Sequence, residues 1–158
     1  MQSVELSSPY ERLAALGLEL PPPPAAIARF RTAVVDGGLM LLSGQGPTFN
    51  DGSLRSGKVG ADISRDAAYQ HARLTGLNLL AVMHDHLGDL GRVRQILKVF
   101  GMVNATSDFA EHSAVIDGCS DLFCDVFGVA GEHARTAIGV GSLPRGITVE
   151  IEAMVAVR

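Results

Sequence analysis

The sequence predicts an α+β fold in which two helices pack on one face of a sheet. Two long segments, 64–88 and 112–128, carry apolar residues at helical spacing, and each ends at a glycine. A third segment, 92–104, is rich in Val, Ile, Leu and Phe, as is typical of a strand. Alternation of apolar and polar residues predicts further strands near both ends of the chain. The predicted order is a hairpin, a helix, a strand, a helix and two strands.

The composition is that of one globular domain. The chain has 158 residues, of which 47% are hydrophobic, and this is enough to bury a core. Its net charge of -4 argues against binding to nucleic-acid backbones, which requires a basic surface. The two cysteines, Cys119 and Cys124, would not face each other on a helix, so we expect free thiols. With no apparent signal peptide or membrane-spanning segment, we expect a cytoplasmic protein without a membrane partner.

A short helix is predicted near the start of the chain. Ser8 is positioned to cap it and Gly17 to end it. The four prolines Pro21 to Pro24 cannot continue a helix or lie in a central strand, so they predict an extended connector. We therefore divide the chain into a helix and proline-rich connector, residues 1–29, and a domain of residues 30–158.

The first hairpin is predicted from its turn. Segments 30–36 and 39–43 flank Gly37 and Gly38, and two glycines at that position are a typical hairpin signal. The segment 44–47, Gly-Gln-Gly-Pro, then ends the second strand. Its glycines allow the backbone to approach a ligand closely.

The two long helices have clear boundaries. Ser64 caps the first and Gly88 ends it; the second runs from about residue 112 to Gly128. His84 and His86 point about 200 degrees apart around the first helix, so we predict no metal site there. The residues expected to face the core from the second helix are Val115, Ile116, Cys119, Leu122, Phe123 and Val126.

The strongest functional pattern lies near the end of the chain. In the strand predicted around Arg135, the guanidinium shares its side with Ala137 and Gly139, whose small size leaves room for a ligand. In the last strand, Glu150 and Glu152 share the polar face. A Pro-Arg-Gly turn between the two segments predicts a hairpin with Glu150 across from Arg135.

This arrangement suits recognition of a carboxylate. A guanidinium can hold a carboxylate through two parallel hydrogen bonds, and Glu150 would then hold a water beside that ligand. An ion pair between Arg135 and Glu150 or Glu152 is the alternative, and spacing alone does not separate the two interpretations. The motif Gly-x-Ser-x-Gly is absent and no spacing of Ser, His and Asp indicates a serine hydrolase.

The same residues resemble the YjgF/RidA family of small reactive-intermediate deaminases, also described as "L-PSP endoribonuclease". The chain looks like a divergent member with an N-terminal extension. The stretches that carry the resemblance are Leu41–Gln45, Lys98–Asn104, Asp108-Phe109, Arg135, Leu143-Pro144 and Glu150–Ala153.

The resemblance implies a fold, an assembly and a reaction. The fold would be a chorismate-mutase-like mixed sheet with two main helices on one face. The protein would form homotrimers with clefts between subunits, each cleft receiving Arg135 from one chain and loop groups from a neighbour. The implied reaction is hydrolysis of enamines and imines, such as small 2-imino acids, to 2-keto acids and ammonia, with neither metal nor organic cofactor.

The resemblance also assigns roles to residues. Arg135 would hold the substrate carboxylate and Glu150 would position the attacking water, so these two are the predicted catalytic residues. Backbone groups of Ala137, Ser43 and Gly44 would orient substrate and water.

Three positions depart from the family pattern. Phe30 lies where a pocket tyrosine is common, Ser120 near a common asparagine, and His133 where a proline often precedes the arginine. Phe30 and Ser120 are predicted to line the substrate site. Two other functions remain open: a non-enzymatic trimer that binds small carboxylates or 2-keto acids, and, less favoured because of the acidic charge, a ribonuclease.

Overall fold

The computed structural model describes residues 7–158. In chain order its elements are α1 (Pro9–Ala15), β1 (Ala33–Asp36), β2 (Leu39–Gln45), α2 (Arg65–Leu87), β3 (Val93–Asn104), α3 (His112–Phe127), β4 (Ala134–Val140) and β5 (Val149–Val157). Short 3-10 turns at Leu90–Arg92, Gly128–Gly131 and Pro144–Gly146 connect some of them. The predicted α+β fold is confirmed.

The strands form one mixed sheet in the order β1-β2-β5-β3-β4. All neighbours are antiparallel except β3 and β4, which are parallel. The predicted hairpin between β4 and β5 is wrong, because β3 lies between them and pairs with both. The chain leaves β3, crosses one face as α3 and returns parallel to β3, and such a crossover needs a helix-length connection. Residues 141–148 then carry the chain past β3 to the position of β5.

Helices α2 and α3 cover one face of the sheet and form the core with it. The six residues predicted to face inward from α3 are all fully buried, so this prediction is confirmed. Ile116 packs directly over Gly101 of β3, since a Cβ added at Gly101 would lie 2.6 Å from Cδ1 of Ile116. This close approach fixes α3 against the centre of the sheet.

The other face of the sheet carries apolar side chains that no helix within residues 7–158 covers. Leu41 and Met154 face each other across β2 and β5, and Ile138 lies opposite Met102. These side chains are 37–50% exposed, and the group comprises Val34, Leu39, Leu41, Ile138 and Met154. We call this surface the open face.

The predicted boundaries of the helices agree with the structure. Ser8 caps α1, Ser64 caps α2, and Gly88 ends α2 in a left-handed conformation. Gly37 and Gly38, with φ of 56 and 80 degrees, make the turn of the first hairpin. Within residues 7–158 no helix is both long and apolar enough to cross a bilayer.

Helix α1 is attached to the domain through a tyrosine. The hydroxyl of Tyr10 accepts a hydrogen bond from the backbone N–H of Leu90 at 2.8 Å and also bonds Nδ1 of His84 at 2.8 Å. His84 is therefore partly covered by α1. Cys119 and Cys124 are both free, as predicted.

Candidate functional site

Arg135 lies near the start of β4 on the helix-covered face. It pairs in register with Val99, a fully buried residue of β3, and its side chain therefore points toward α3. Nη1 donates to Oδ1 of Asp117 at 2.7 Å and to Oγ of Ser120 at 3.1 Å. The ion pair with Glu150 or Glu152 that the sequence left open is not formed, because Arg135 pairs with Asp117 instead.

The rest of the guanidinium is available to a ligand. Among residues 7–158, neither Nε nor Nη2 of Arg135 has a hydrogen-bond partner, and the side chain is 22% exposed. Ala137 follows on the same side of β4, opposite Gly101, and is small and half-buried. One edge of a fixed guanidinium therefore remains for a planar anion such as a carboxylate.

Glu150 lies on the open face, against the end of β2. A Cβ added at Gly44 would lie 2.8 Å from Oε1 of Glu150, so the carboxyl group rests on the glycine backbone. Burial raises the pKa of Glu150, and the nearby charge of Glu152 raises it further. No side chain or backbone group among the described residues is hydrogen-bonded to this carboxyl group. Glu150 is thus a half-buried carboxyl group that binds a proton more readily than an exposed glutamate does.

Ser43 near the end of β2 and Phe30 before β1 are two further residues predicted to contribute to the site. Oγ of Ser43 donates to the carbonyl of Arg31 at 2.6 Å, and its backbone N–H donates to the carbonyl of Thr32 at 2.9 Å. Ser43 therefore fixes the segment that precedes β1. Phe30 lies in that segment and is 48% exposed.

Arg135 and Glu150 are not brought together within one chain. Arg135 is in register with Val99 of β3 and Glu150 with Met102, so they are separated by three residues along β3 and by two strand spacings across the sheet. This geometry corresponds to about 14 Å between their backbones. They also point to opposite faces. The predicted location of Glu150 across from Arg135 is therefore wrong.

The chain instead contains two separate groups of site residues. We call Asp117, Ser120, His133, Arg135 and Ala137 the arginine half-site, and Ser43, Gly44 and Glu150 the glutamate half-site. Each half-site is ordered by local contacts. The two can only meet if different copies of the chain supply them.

A serine and histidine pair within the arginine half-site was missed by sequence reasoning. Nε2 of His133 lies 2.9 Å from Oγ of Ser120, and Nδ1 of His133 lies 2.6 Å from the carbonyl oxygen of Gly131. Burial lowers the pKa of His133, and the charge of Arg135 lowers it further, while the bond to Gly131 acts in the opposite direction. The imidazole is therefore mainly neutral at pH 7.

The carbonyl of Gly131 also fixes the tautomer of His133. A carbonyl oxygen only accepts hydrogen bonds, so Nδ1 carries the proton and Nε2 of the neutral ring is an acceptor. The hydroxyl of Ser120 then donates to Nε2. The residues are 13 positions apart in the chain, and the 3-10 turn Gly128–Gly131 that joins them has no spacing motif from which this contact could be predicted.

A separate cleft of about 500 Å³ opens at the carboxyl ends of β3 and β4. Lys58, Thr106, Phe109 and His112 contribute to its walls. The ammonium group of Lys58 is held by Oδ1 of Asn104 at 2.8 Å and by the carbonyl of Gly141 at 2.6 Å. Neither half-site lines this cleft. In residues 7–158 no group of three or more His, Cys, Asp or Glu side chains is arranged to hold a metal ion.

The fold and the site residues define a small α+β protein whose sheet is covered by helices on one face only. The family described as "YjgF/chorismate_mutase-like, putative endoribonuclease" matches residues 10–148. The chain belongs to this family, and its fold is the chorismate-mutase-like fold of that family.

Several relatives share most of their length with this chain. Protein TCP17 of Trypanosoma cruzi is 38% identical over 141 residues, which are 89% of this chain and 88% of that protein. The crystal structure of a "putative endoribonuclease" from Shewanella oneidensis is 32% identical, with a TM-score of 0.92 over 96% of this chain and 100% of that one. Protein Atu1372 of Agrobacterium tumefaciens, a protein of unknown function, is 36% identical, with a TM-score of 0.88 over 95% and 94% of the two chains.

The structural likeness to the Shewanella protein includes the start of the chain. Residues 1–29 make up 29 of the 158 residues, so a likeness over 96% of the chain contains most of that segment.

A more distant structure, Escherichia coli TdcF with bound serine, has 23% identity and a TM-score of 0.64 over 89% of this chain and 96% of TdcF. That likeness shows the shared fold alone.

Proposed function

We propose that this protein hydrolyses small 2-imino acids and their enamine tautomers to 2-keto acids and ammonia. Arg135 would hold the substrate carboxylate. Glu150 of a neighbouring copy would position and activate the attacking water. The observation that carries the proposal is the state of the Arg135 guanidinium: Nη1 is fixed by Asp117 and Ser120, while Nε and Nη2 have no hydrogen-bond partner among residues 7–158.

The proposed chemistry needs only these groups. With its carboxylate on Arg135, a 2-imino acid presents its adjacent imine carbon to a water on the glutamate half-site. The water oxygen bonds to that carbon while a proton from the water passes through Glu150 to the nitrogen, which gives a carbinolamine. Glu150 then transfers the proton of the new hydroxyl to the amino nitrogen as the carbon–nitrogen bond breaks, so ammonia leaves and the carbonyl of the 2-keto acid forms. A carboxyl group with a raised pKa is a better base near neutral pH than an ordinary one.

The separation of the half-sites favours an assembly of several copies. One copy cannot bring the groups together, because they lie about 14 Å apart on opposite faces of its sheet. The open face exposes Val34, Leu39, Leu41, Ile138 and Met154, an apolar surface that association would bury. A ring of three copies would repeat one contact between the edge strand β4 and the next open face, giving three equivalent sites.

The first test is ammonia release from 2-iminobutanoate generated in situ by an amino-acid oxidase. We expect the wild-type protein to accelerate release and Arg135→Ala to abolish the acceleration. Arg94→Ala, which removes an exposed arginine of β3, is the matched control and should keep it. Acceleration that survives in Arg135→Ala would exclude the carboxylate role of Arg135.

The second test asks whether two copies supply one site. Arg135→Ala and Glu150→Ala subunits, each inactive alone, are unfolded together and refolded as a mixture. In random ring trimers about a quarter of the interfaces would receive intact Arg135 from one copy and intact Glu150 from the next. Recovery of activity to that level supports the shared site, and a mixture that stays inactive while forming trimers contradicts it.

The alternative is a trimer that binds small carboxylates or 2-keto acids without turnover. The separation of Glu150 from Arg135 within one chain favours it, because binding a carboxylate needs only the arginine half-site and no positioned water. This function predicts an increase in melting temperature with 2-oxobutanoate. It also predicts no acceleration of imine hydrolysis by the wild-type protein.

A further inference from the structure

We propose that Ser120 and His133 are the nucleophile and general base of a second, acyl-transfer activity in the arginine half-site. Its substrates would be activated half-esters or thioesters of short dicarboxylic acids. The inference rests on the proposed function in one respect, since both use Arg135 to bind a carboxylate. It requires neither Glu150 nor imine chemistry.

The imidazole of His133 has the geometry of a general base for Ser120. A nucleophilic serine needs a neutral imidazole nitrogen within hydrogen-bond distance, and that imidazole must be held in the correct tautomer by a third group. Oγ of Ser120 lies 2.9 Å from Nε2 of His133, and the carbonyl of Gly131 holds the proton on Nδ1. The ring of Phe123 packs edge-on to the imidazole, with 6.2 Å between ring centres. The ring of His133 is therefore held in place by the hydrogen bond to Gly131 and by packing against Phe123.

The guanidinium of Arg135 places a positive charge beside the hydroxyl of Ser120. Nη1 of Arg135 lies 3.1 Å from Oγ of Ser120 and donates to it. A fixed guanidinium at this distance stabilises the negative charge that develops on the serine oxygen as its proton leaves. The same positive charge disfavours the protonated form of His133, which keeps the base neutral.

The hydroxyl, the imidazole and the guanidinium lie at the edge of the sheet formed by β4. Ser120, His133 and Arg135 are half-buried, so each keeps part of its surface exposed to solvent there. The neighbouring thiol of Cys119 is not a competing nucleophile, because it is fully buried and burial raises its pKa strongly. Ser120 is thus the accessible hydroxyl beside both a base and a cation.

The position of Arg135 sets the class of substrate. A carboxylate on the free guanidinium edge lies beside Ser120, so a second acyl group only a few bonds away would reach the hydroxyl. In a short dicarboxylic acid the two carboxyl groups are separated by only a few bonds. The distal carboxylate would bind Arg135, and the acyl carbon of the other end would lie at Oγ of Ser120.

The reaction has two balanced steps. In the first, Oγ of Ser120 bonds to the acyl carbon, its proton passes to Nε2 of His133, and the bond to the leaving group breaks as the leaving group takes that proton. In the second, a water oxygen bonds to the acyl carbon, a proton from the water passes to His133, and the bond to Oγ breaks. Ser120 recovers the proton and the dicarboxylic acid leaves.

The experiment uses mono-(4-nitrophenyl) succinate, with 4-nitrophenyl butyrate as the neutral ester of similar size. We expect the wild-type protein to release a burst of nitrophenolate and to gain one succinyl group on Ser120, detected by mass spectrometry of its peptides. Ser120→Ala should lose both signals. His133→Asn should slow the burst by about 100-fold or more, the usual contribution of a general base.

Two further variants separate specific from nonspecific reaction. Ser113→Ala removes an exposed hydroxyl from the first turn of the same helix and should leave the burst unchanged. Arg135→Ala should lose the preference for the succinate ester over the butyrate ester. In the wild-type protein the burst rate should fall below neutral pH with an apparent pKa under 6.5, because the pKa of His133 is lowered.

The outcomes distinguish this inference from the proposed function. Ammonia release without succinyl-Ser120 would overturn the inference and leave the deaminase intact. Succinyl-Ser120 without ammonia release would support the inference and count against the deaminase. A burst that persists in Ser120→Ala, with unchanged circular dichroism and melting temperature, would also overturn it.

Discussion

Arg135 and Asp117 form an ion pair between β4 and α3, with Nη1 2.7 Å from Oδ1 and side-chain exposures of 22% and 49%. Such a partly exposed pair contributes little to stability. In the proposed site its larger effect would be on ligand binding, because Asp117 neutralises part of the charge that a substrate carboxylate would meet. The pair holds the guanidinium in place and weakens its attraction for anions.

Asp117→Asn should therefore strengthen carboxylate binding. Asparagine keeps an acceptor oxygen for Arg135 but removes the competing charge, and we expect the dissociation constant for 2-oxobutanoate to fall about two- to five-fold. Isothermal titration calorimetry at low salt measures this dissociation constant. Asp108→Asn, at an exposed position before α3, is the control and should leave the dissociation constant unchanged. Weaker binding in Asp117→Asn would mean that the charge of Asp117 is needed to orient Arg135.

Glu150→Gln should stabilise the protein at neutral pH and should remove the proposed deaminase activity. Because the pKa of Glu150 is raised in the folded state, its charged form opposes folding above that pKa, and the opposition disappears as pH falls through it. We expect the variant to exceed the wild type in unfolding free energy at pH 8 by up to about 1 kcal/mol, allowing for partial exposure. At pH 4, below the ordinary value of 4.5, the two should agree.

Urea unfolding at both pH values and at one protein concentration measures the difference. Glu19→Gln, at an exposed position, controls for the loss of one charge. Equal stability of Glu150→Gln and the wild type at pH 8 would show that a neighbouring group compensates the charge of Glu150.

Local signals explain what the sequence predicted correctly. The bounds of α2 and α3 follow from caps, terminal glycines and apolar spacing, all of which act within a few residues. The alternation in β5 likewise placed Glu150 on the face opposite Ile151. Each of these features depends only on neighbours in the chain.

The errors concern contacts between distant segments. A period of two shows that Arg135 shares a side with Ala137, but it does not show which side α3 covers or which strand pairs with β4. Arg135 and Glu150 are separated by the insertion of β3 between β4 and β5, and by a register that offsets them along β3 and points them to opposite faces. The contact of Ser120 with His133 depends on how the turn after α3 folds back, and no residue pattern specifies that.

Gly101→Ala should destabilise the protein and reduce both proposed activities. The added Cβ would lie 2.6 Å from both Cδ1 and Cγ1 of Ile116, so α3 must move away from β3. Overpacking of this kind costs about 1–3 kcal/mol. Because α3 carries Asp117 and Ser120, the same movement should displace the arginine half-site.

The control is Gly141→Ala, since no atom lies within 4 Å of a Cβ added there. Chemical unfolding should show a change below about 0.5 kcal/mol for this variant. If the clash with Ile116 is the cause, Ile116→Ala should cost less in the Gly101→Ala background than in the wild type. Strict additivity of the two changes would rule out that cause.

Tyr10→Phe tests whether α1 is part of the folded domain. The change removes the hydroxyl that accepts from the backbone N–H of Leu90, a fully buried residue, and that bonds His84. Leaving a buried N–H without a partner costs about 1–3 kcal/mol. We expect a loss of that size in urea unfolding and faster hydrogen exchange at the amide of Leu90.

Tyr69→Phe provides the matched control for this prediction. The Tyr69 hydroxyl donates to Asp121 at 2.7 Å near the surface. Because water can replace that bond, Tyr69→Phe should lower the free energy of unfolding by less than Tyr10→Phe does. A single unfolding transition, lowered more by Tyr10→Phe than by Tyr69→Phe, would show that α1 unfolds together with the sheet. Equal losses of unfolding free energy in the two variants would mean that the Tyr10 hydroxyl contributes no more than an exposed hydroxyl, and that α1 is held by its apolar contacts.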